Sequence, residues 1–285
     1  MPQPAPDDAR DDARATAPDD AVGTTPDDAA ERFRDRPVSF VRRSGRMSDG
    51  QERAWAAHSG FYLIEVERGR AATSIRPGDP IDPAATYGRA APLVVEIGSG
   101  QGHAIVHAAQ NAPETDFLAV EVFRAGLART MLDADRAGVQ NLRLVEANAP
   151  EVLEHLLPEA SVDELWVFFS DPWHKSKHHK RRLIDPSFPP LAARALRDGG
   201  VLRLATDWED YASQMRDVMT DAEDFAPAFD AAPDGWAPRF DGRVMTAFER
   251  KGLAKGRDIR DLVYRRRDRA EAPAVPVTAD DAARP

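Results

Sequence analysis

The tract Val167-Phe168-Phe169-Ser170-Asp171-Pro172-Trp173-His174-Lys175, continuing Ser176-Lys177-His178-His179-Lys180-Arg181-Arg182, changes character within a few residues. An apolar run fit for a buried strand stops at Asp171-Pro172. Proline has no N–H for a sheet ladder and fixes its own φ, so it places the carboxylate at a turn. A carboxylate beside a ring and a set of cations suits the holding of a flat ring, attached to a polyanion, while chemistry is done on its edge. Trp173 has two readings, a stacking surface for an unstacked base or a packing residue. The cations Lys175, Lys177, Lys180, Arg181 and Arg182 read either as RNA phosphate contacts or as a solvated face. His174, His178 and His179 invite a metal reading, but no other ligands converge on them in the sequence and cations surround them, so no metal is expected.

A second group of residues suits a small nucleotide-like molecule. Glu96-Ile97-Gly98-Ser99-Gly100-Gln101-Gly102 follows an apolar run and opens a helical pattern. Glycines such as Gly98 and Gly100 let a backbone turn sharply and approach a ligand without Cβ clashes. Glu121, at the end of the next apolar run, is placed to accept hydrogen bonds from ribose hydroxyls. A dinucleotide fingerprint wants Gly or Ala where this chain has His103, and Glu96 would repel a pyrophosphate. A ligand with an ammonium, a sulfonium and no phosphate fits better, which favours S-adenosylmethionine over a dinucleotide. Asn148 reads the adenine edge or caps the helix at Pro150, two compatible roles. Asp207 contacts substrate or donor, or caps the helix that follows. Thr246 and Glu249 offer acceptors to a guanine edge, yet they also have the spacing of a capping box.

These residues need elements to hold them. Apolar runs at Leu93–Ile97, Phe117–Val122, Leu142–Val145, Leu165–Phe169 and Val201–Ala205 alternate with helical patterns. Those helices are expected at His103–Ala112, Ala125–Ala137, Pro150–Leu157, Pro186–Leu196 and Glu209–Met219. The alternation predicts an α/β fold with a doubly wound, mostly parallel sheet, and Ile259–Tyr264 as a last, antiparallel strand. Asp198-Gly199-Gly200 is read as a helix stop. Ligands in such sheets sit beyond the strands' carboxyl ends. That rule sets Glu96, Glu121, Asn148, Asp171 and Asp207 along one edge. Residues 225–244 are rich in Pro and Gly and receive no assignment.

Composition narrows the class further. Residues 1–36, with Asp-Asp pairs at 7–8, 11–12, 19–20 and 27–28, are expected to be a disordered acidic tail, and residues 268–285 a second disordered tail. Residues 37–91 form an arm and lead-in, and 92–267 the main domain. The arm carries Arg42, Arg43, Arg46 and Arg53 ahead of a helical pattern containing Trp55. It reads as a solvated approach, or as a segment that touches phosphates or closes over a ligand. The net charge of −10 opposes nucleic-acid binding at face value. Much of that excess sits in the first thirty residues, where eight Asp face only Arg10 and Arg14, so a basic patch at 175–182 remains a phosphate site. The chain has no cysteine, which excludes disulfides and thiolate zinc sites. Neither a signal-peptide pattern nor a membrane-length apolar run occurs, so a cytoplasmic protein is expected.

Taken together, the chain resembles the bacterial tRNA (guanine-N7-)-methyltransferase family from about Ser39 to Arg266. The resemblance rests on Ser39-Phe40-Val41-Arg42-Arg43-x-Gly45-Arg46 with Gly50-Gln51, Glu96-Ile97-Gly98-Ser99-Gly100, Asp171-Pro172-Trp173-x-Lys175 with His178-x-Lys180-Arg181-Arg182, Ala205-Thr206-Asp207, and Thr246-x-Phe248-Glu249. The Asp-Pro-Trp tract is specific to the family, whereas the glycine loop is common to many methyltransferases. The resemblance implies a Rossmann-like class I fold and transfer of a methyl group from S-adenosylmethionine to N7 of the guanine at position 46 of the tRNA variable loop. A methyltransferase acting on another RNA or a small molecule is the alternative. It implies a donor pocket of Glu96, Gly98, Gly100, Glu121, Asn148 and Asp171, with Asp171 also catalytic. Substrate contacts are implied at Lys175, Asp207 and Thr246, Ala247, Phe248 and Glu249. Lys177, His178, His179, Lys180, Arg181 and Arg182 would lie against the RNA. Three positions depart from the family pattern: His174 where Pro is usual, Ala247 where Lys is usual, and Asn148 where Asp is common.

Overall fold

The structure, a computed structural model, describes residues 47–69, 71–229 and 235–269. The expected acidic tail, the cations Arg42, Arg43 and Arg46, and residues 270–285 lie outside these. Arg269, expected within the C-terminal tail, is instead held: its guanidinium bonds to Asp198 and donates to the carbonyls of Ala193, Arg194 and Leu196.

Seven strands form one sheet in the order β3-β2-β1-β4-β5-β7-β6. The parallel strands are β1 (Leu93–Ile97), β2 (Asp116–Glu121), β3 (Leu142–Glu146), β4 (Val162–Phe168) and β5 (Leu196–Thr206). β7 (Arg260–Arg266) runs antiparallel to β5, and the short β6 (Phe225–Pro227) pairs with β7 at the edge. The strand reversal lies between β2-β1 and β4-β5, as a doubly wound sheet requires. A three-residue strand containing a proline gives almost no sequence signal, and an edge is where such a strand is tolerated.

Side-chain alternation explains why both faces are covered. Leu93, Val95 and Ile97 point into one apolar layer, while Val94 joins the opposite one with Phe117 and Trp166. The first layer is closed by α5 (Ala149–Glu151, continuing as the π-helical turn Val152–Leu156), α6 (Phe188–Ala195) and α7 (Glu209–Thr220). The second is closed by α3 (His103–Asn111) and α4 (Arg124–Arg136). α1 (Asp49–Tyr62) precedes a short helix α2 (Pro83–Tyr87), and α8 (Ala247–Leu253) precedes β7. A capping box between Ser48 and Gln51 starts α1, and the Gln51 amide reaches the Ala125 carbonyl at 3.1 Å, tying α1 to the first turn of α4.

One boundary differs from expectation. α6 stops at Ala195, and Leu196 already lies in β5, so Asp198-Gly199-Gly200 is an excursion inside the strand rather than a helix stop. The β4–β5 register jumps from Val162↔Leu196 to Glu164↔Val201. Leu196 is fully buried, and that burial keeps it in the sheet while the glycines absorb the irregularity. Among the described residues, no helix is long and apolar enough to cross a membrane.

Candidate active site at the carboxyl edge of the sheet

The first wall of the site is built by β1, β2 and the turns after them. Glu96 sits one residue before the end of β1 and is buried. Its Oε2 and the buried Ser99 hydroxyl in the next turn lack any hydrogen-bond partner in the protein. Buried polar atoms are almost always satisfied, so two orphans at one strand end point to a ligand site. Desolvation, then the charge of Glu121, push the Glu96 carboxyl up to about 8, against a backbone hydrogen bond from Ile105. Gly98 and Gly100 adopt φ of 74° and 58°, and a Cβ on either would meet only open space. The loop is also clamped from behind, since a Cβ on Gly126 of α4 would lie 2.2 Å from the Gly100 carbonyl oxygen. Only glycine permits that approach.

Glu121 ends β2. Its Oε2 accepts from Gly100 N–H at 2.7 Å, and its Oε1 accepts from Val122 and Phe123 N–H at 2.7 and 2.9 Å. Burial raises its pKa, three backbone hydrogen bonds pull it back, and the charge of Asp171 raises it further. The charge of Asp171, after β4, thus reaches Glu121 beside the glycine loop. Asn148 takes the capping role: its Oδ1 accepts from Glu151 N–H at 3.2 Å, and its Nδ2 donates to the Thr73 carbonyl at 3.2 Å. Buried at 3% exposure, it braces the turn after β3, and its amide keeps a second N–H and a second lone pair beyond these two bonds.

The second wall is the loop after β4. Phe169 and Trp173, on either side of Asp171, adopt φ of 55° and 43°. Bulky residues rarely enter this region, and such strain persists only where surrounding structure enforces it. Asp171 is open to solvent on its outer side, while desolvation by the protein behind it raises its pKa. Trp173 packs edge-on against His178 at 5.9 Å, with the Arg181 guanidinium 5.1 Å from its ring centroid. Desolvation and the neighbouring cations lower the His178 pKa. His179 turns instead toward Arg182 and Asp210, and His174 toward Trp208, 5.5 Å between centroids. The three histidines do not converge.

The third wall comes from β5, α8 and the loop before it. Asp207 accepts from Arg257 at 2.7 Å, and the Arg257 guanidinium lies 4.4 Å from the Trp208 ring centroid. Thr246 caps α8, its hydroxyl accepting from Glu249 N–H at 3.1 Å. Phe248, 66% exposed, is on the open surface of this helix.

With these three walls in place, residues 90–262 match a family model described as "Putative methyltransferase". The chain is 47% identical over 277 residues to the tRNA (guanine-N(7)-)-methyltransferase of Paenarthrobacter aurescens, covering 81% of this chain and 92% of that one. It is 47% identical over 238 residues to the enzyme of the same name from Cutibacterium acnes, covering 84% and 86%. The chain belongs to the tRNA (guanine-N7-)-methyltransferase family. Among solved structures it is similar to the 16S rRNA methyltransferase KamB, 16% identical with a TM-score of 0.44, over 79% of this chain and 97% of that one.

Two residues that the family motifs suggested for ligand contact are bonded within the protein. Glu249, expected against substrate, is 1% exposed, and both its oxygens are taken by Arg239, at 2.7 and 3.0 Å, with Arg243 at 3.4 Å or more. Burial alone would raise the Glu249 pKa, but the two guanidinium groups outweigh it and the net shift is downward. Arg243, itself fully buried and bonded to Asp261, lies beneath the Phe168 and Phe169 rings. Both Glu249 oxygens are thus engaged inside the protein. Arg182, expected against RNA, is 3% exposed and entirely bonded inside the protein.

Sequence reasoning also missed Arg243, Arg239, Ser99 and Tyr211. A buried arginine network carries no periodic or motif signal, and its partners are brought together only by the sheet. We expect Glu249→Ala to leave Arg243 with a buried, undercompensated charge and to cost about 3–5 kcal/mol. Chemical denaturation measures this directly. A loss confined to substrate KM, at unchanged stability, would return Glu249 to the substrate face.

Proposed function

We propose that this chain transfers a methyl group from S-adenosylmethionine to N7 of a guanine in tRNA, at position 46 of the variable loop. The observation that carries the reading is one continuous edge. Orphaned Glu96 and Ser99 oxygens under an open glycine loop adjoin, through Glu121, a strained loop that presents Asp171 beside exposed cations. The relatives from Paenarthrobacter aurescens and Cutibacterium acnes both carry the name tRNA (guanine-N(7)-)-methyltransferase.

The residues present fit the donor. Glu96 would hold its ammonium, the Ser99 hydroxyl a polar neighbour, and the remaining lone pair on Glu121 Oε2 a ribose hydroxyl, while Gly98 and Gly100 let the backbone lie against it. Asn148 contributes by fixing the turn after β3. Bound there, S-adenosylmethionine supplies an electrophilic methyl group on a sulfonium. What the chain itself contributes is then placement. Guanine N7 carries an in-plane lone pair and no proton, so the protein needs no general base to expose the nucleophile. Asp171 orients the ring and stabilises the positive charge that grows on its imidazole portion. Phe248, exposed at the surface of α8, is a ring on which a base withdrawn from its tertiary pairing would stack, a withdrawal that costs a few kcal/mol. Asp207, through Arg257, holds the adjoining wall, and Thr246 sets the start of α8 beside it.

Lys175, Lys177 and Lys180 are exposed along the 3₁₀ helix Ser176–Arg181 and its approach, and with Arg181 they form the RNA-facing surface. Replacing Lys177 and Lys180 by alanine should weaken tRNA binding and flatten the dependence of log affinity on log salt by about 0.7–0.9 for each phosphate no longer neutralised. An unchanged slope would move the RNA surface elsewhere.

The deciding experiment is incubation with labelled S-adenosylmethionine and unmodified tRNA, digestion, and nucleoside analysis, alongside a tRNA with adenine at position 46. Label in 7-methylguanosine, lost with the adenine substrate, is the expected result. Donor binding without label in tRNA would favour another RNA or a small molecule as acceptor. Label retained with the adenine substrate would shift the target position.

A further inference from the structure

We propose that Arg182 is a positioning residue: buried behind the Asp171-Pro172 turn, it anchors that turn to α7 and holds the catalytic carboxylate in place. The inference rests on the proposed role of Asp171.

Lys175, Lys177 and Lys180 of the same tract lie on the surface, while Arg182 turns inward. Its Nε donates to the carbonyl of Pro172 at 2.7 Å, the peptide next to Asp171. One terminal nitrogen donates to Gln214 Oε1 at 2.7 Å, and the other to Asp210 Oδ2 at 2.6 Å. The guanidinium lies 4.8 Å from the Tyr211 ring centroid. All of these partners except Pro172 are on α7. The planar fork of arginine donates from three separate nitrogens in fixed directions, whereas the three donors of an ammonium sit on one rotating nitrogen.

The α7 partners are themselves fixed. Gln214 Nε2 donates to the Ile184 carbonyl at 2.9 Å, and the Tyr211 hydroxyl accepts from Ile184 N–H at 3.0 Å. The same hydroxyl is 3.3 Å from Ser170 Oγ, immediately before Asp171. The turn is thus bonded to α7 on both sides of the carboxylate, through Ser170 and through Pro172. Its backbone needs such fixing, because Phe169 and Trp173 at positive φ would relax if released. Asp171 itself makes no bond to this network, so its placement follows from its neighbours. A displacement of about 1 Å at a reacting group is enough to cost on the order of 10²-fold in rate.

Three variants of the full-length protein test this. Arg182→Lys keeps the charge but loses the fork; Arg182→Gln keeps a single amide NH2 and loses the charge; and Asp210→Asn leaves Arg182 present but removes its anion at a partly exposed position. For each, single-turnover methylation, donor affinity, tRNA affinity across a salt series and thermal midpoint are read together. The expected result is a fall of ~10²-fold in the single-turnover rate for Arg182→Lys, a smaller fall for Asp210→Asn, and donor affinity and salt slope equal to wild type in both.

A salt slope flattened as in the Lys177 and Lys180 variants would make Arg182 an RNA contact and overturn the proposal. Rates unchanged in a folded Arg182→Lys would overturn it too. Should the Arg182 variants fold poorly, Asp210→Asn decides: a normal rate in that variant counts against the anchor. Wild-type protein that does not methylate tRNA would instead defeat the proposed function, which the wild-type arm reports separately.

Discussion

Replacing Asp171 by alanine should lower the methylation rate by about 10²–10³-fold, the range seen when one preorganised electrostatic group is removed from an active site, with tRNA and donor affinities little changed. The chemistry sets this pattern. The guanine N7 nucleophile is neutral before transfer and part of a cationic ring after it, so a carboxylate beside it favours the transition state over the ground state. Only interactions that strengthen in the transition state raise the rate of the chemical step. The nearby cations, by contrast, meet phosphates whose charge does not change during the reaction, so they act on binding. Asp171→Asn separates charge from shape: the amide can still hydrogen-bond but carries no charge, and its rate should stay close to that of the alanine variant. Desolvation raises the Asp171 pKa, and only the ionised form provides the charge. Single-turnover rates should therefore fall on the acid side at a pH above the ordinary aspartate value, and this acid limb should vanish in Asp171→Asn. Equal losses of rate and of tRNA binding in the alanine variant would remove Asp171 from the catalytic role.

Glu96→Gln should show opposite effects on stability and on donor binding. The carboxyl sits at about 8 in the folded chain against 4.5 in a free side chain. Between those values the native state holds a proton that the unfolded state has released. Stability therefore falls as pH rises through that window, and the loss is complete above it. Glutamine does not titrate, so the variant should match wild type near pH 4 and exceed it increasingly up to pH 8, by a few kcal/mol at most. Thermal midpoints across pH measure the divergence.

Donor affinity should move the other way, because the ammonium loses a charged acceptor worth about 1.5–3 kcal/mol, or roughly 10–100-fold. Wild-type protein near pH 7 should also release a proton on binding the donor, since the incoming cation favours ionised Glu96. Titration calorimetry in buffers of different ionisation enthalpy reads that proton, and the variant should release none. A stability difference independent of pH would mean that Glu96 is already ionised in the free protein. Unchanged affinity would mean that the ammonium is held elsewhere.

This pair of effects explains the cost of the site. A buried acid next to another acid, with an oxygen left unbonded, destabilises the free fold, and removing one of them is expected to relieve it. The same strain recurs in the loop of Phe169 and Trp173. In both places the destabilised feature faces the proposed ligands, which is where native proteins tolerate local conflict.

The sequence by itself determined a great deal here. Strands β1 to β5 alternate with helices, and their apolar runs mark buried sheet because only apolar side chains can face helices on both sides. Residues at or just past strand ends must then share one edge, which sets Glu96, Glu121, Asn148, Asp171 and Asp207 along it. The glycine loop was legible because its conformation demands glycine, and the Asp-Pro-Trp tract because the types change so sharply.

What only the tertiary structure decided is which polar side chains face the ligands and which face the protein. Arg182 ends a run of cations and looks like its neighbours in sequence, yet the turn carries it under Pro172 and onto α7. Glu249 follows Thr246 at a spacing that suits both a cap and a guanine contact, and two arginines reached through the sheet claim its oxygens. Of the two compatible roles of Asn148, the structure shows the capping one. Charge and hydrogen-bonding capacity are properties of the residue type, but the partner that satisfies them is set by distance in space. Those distances come from the packing of β4, β5, β7, α7 and α8, elements that are far apart along the chain.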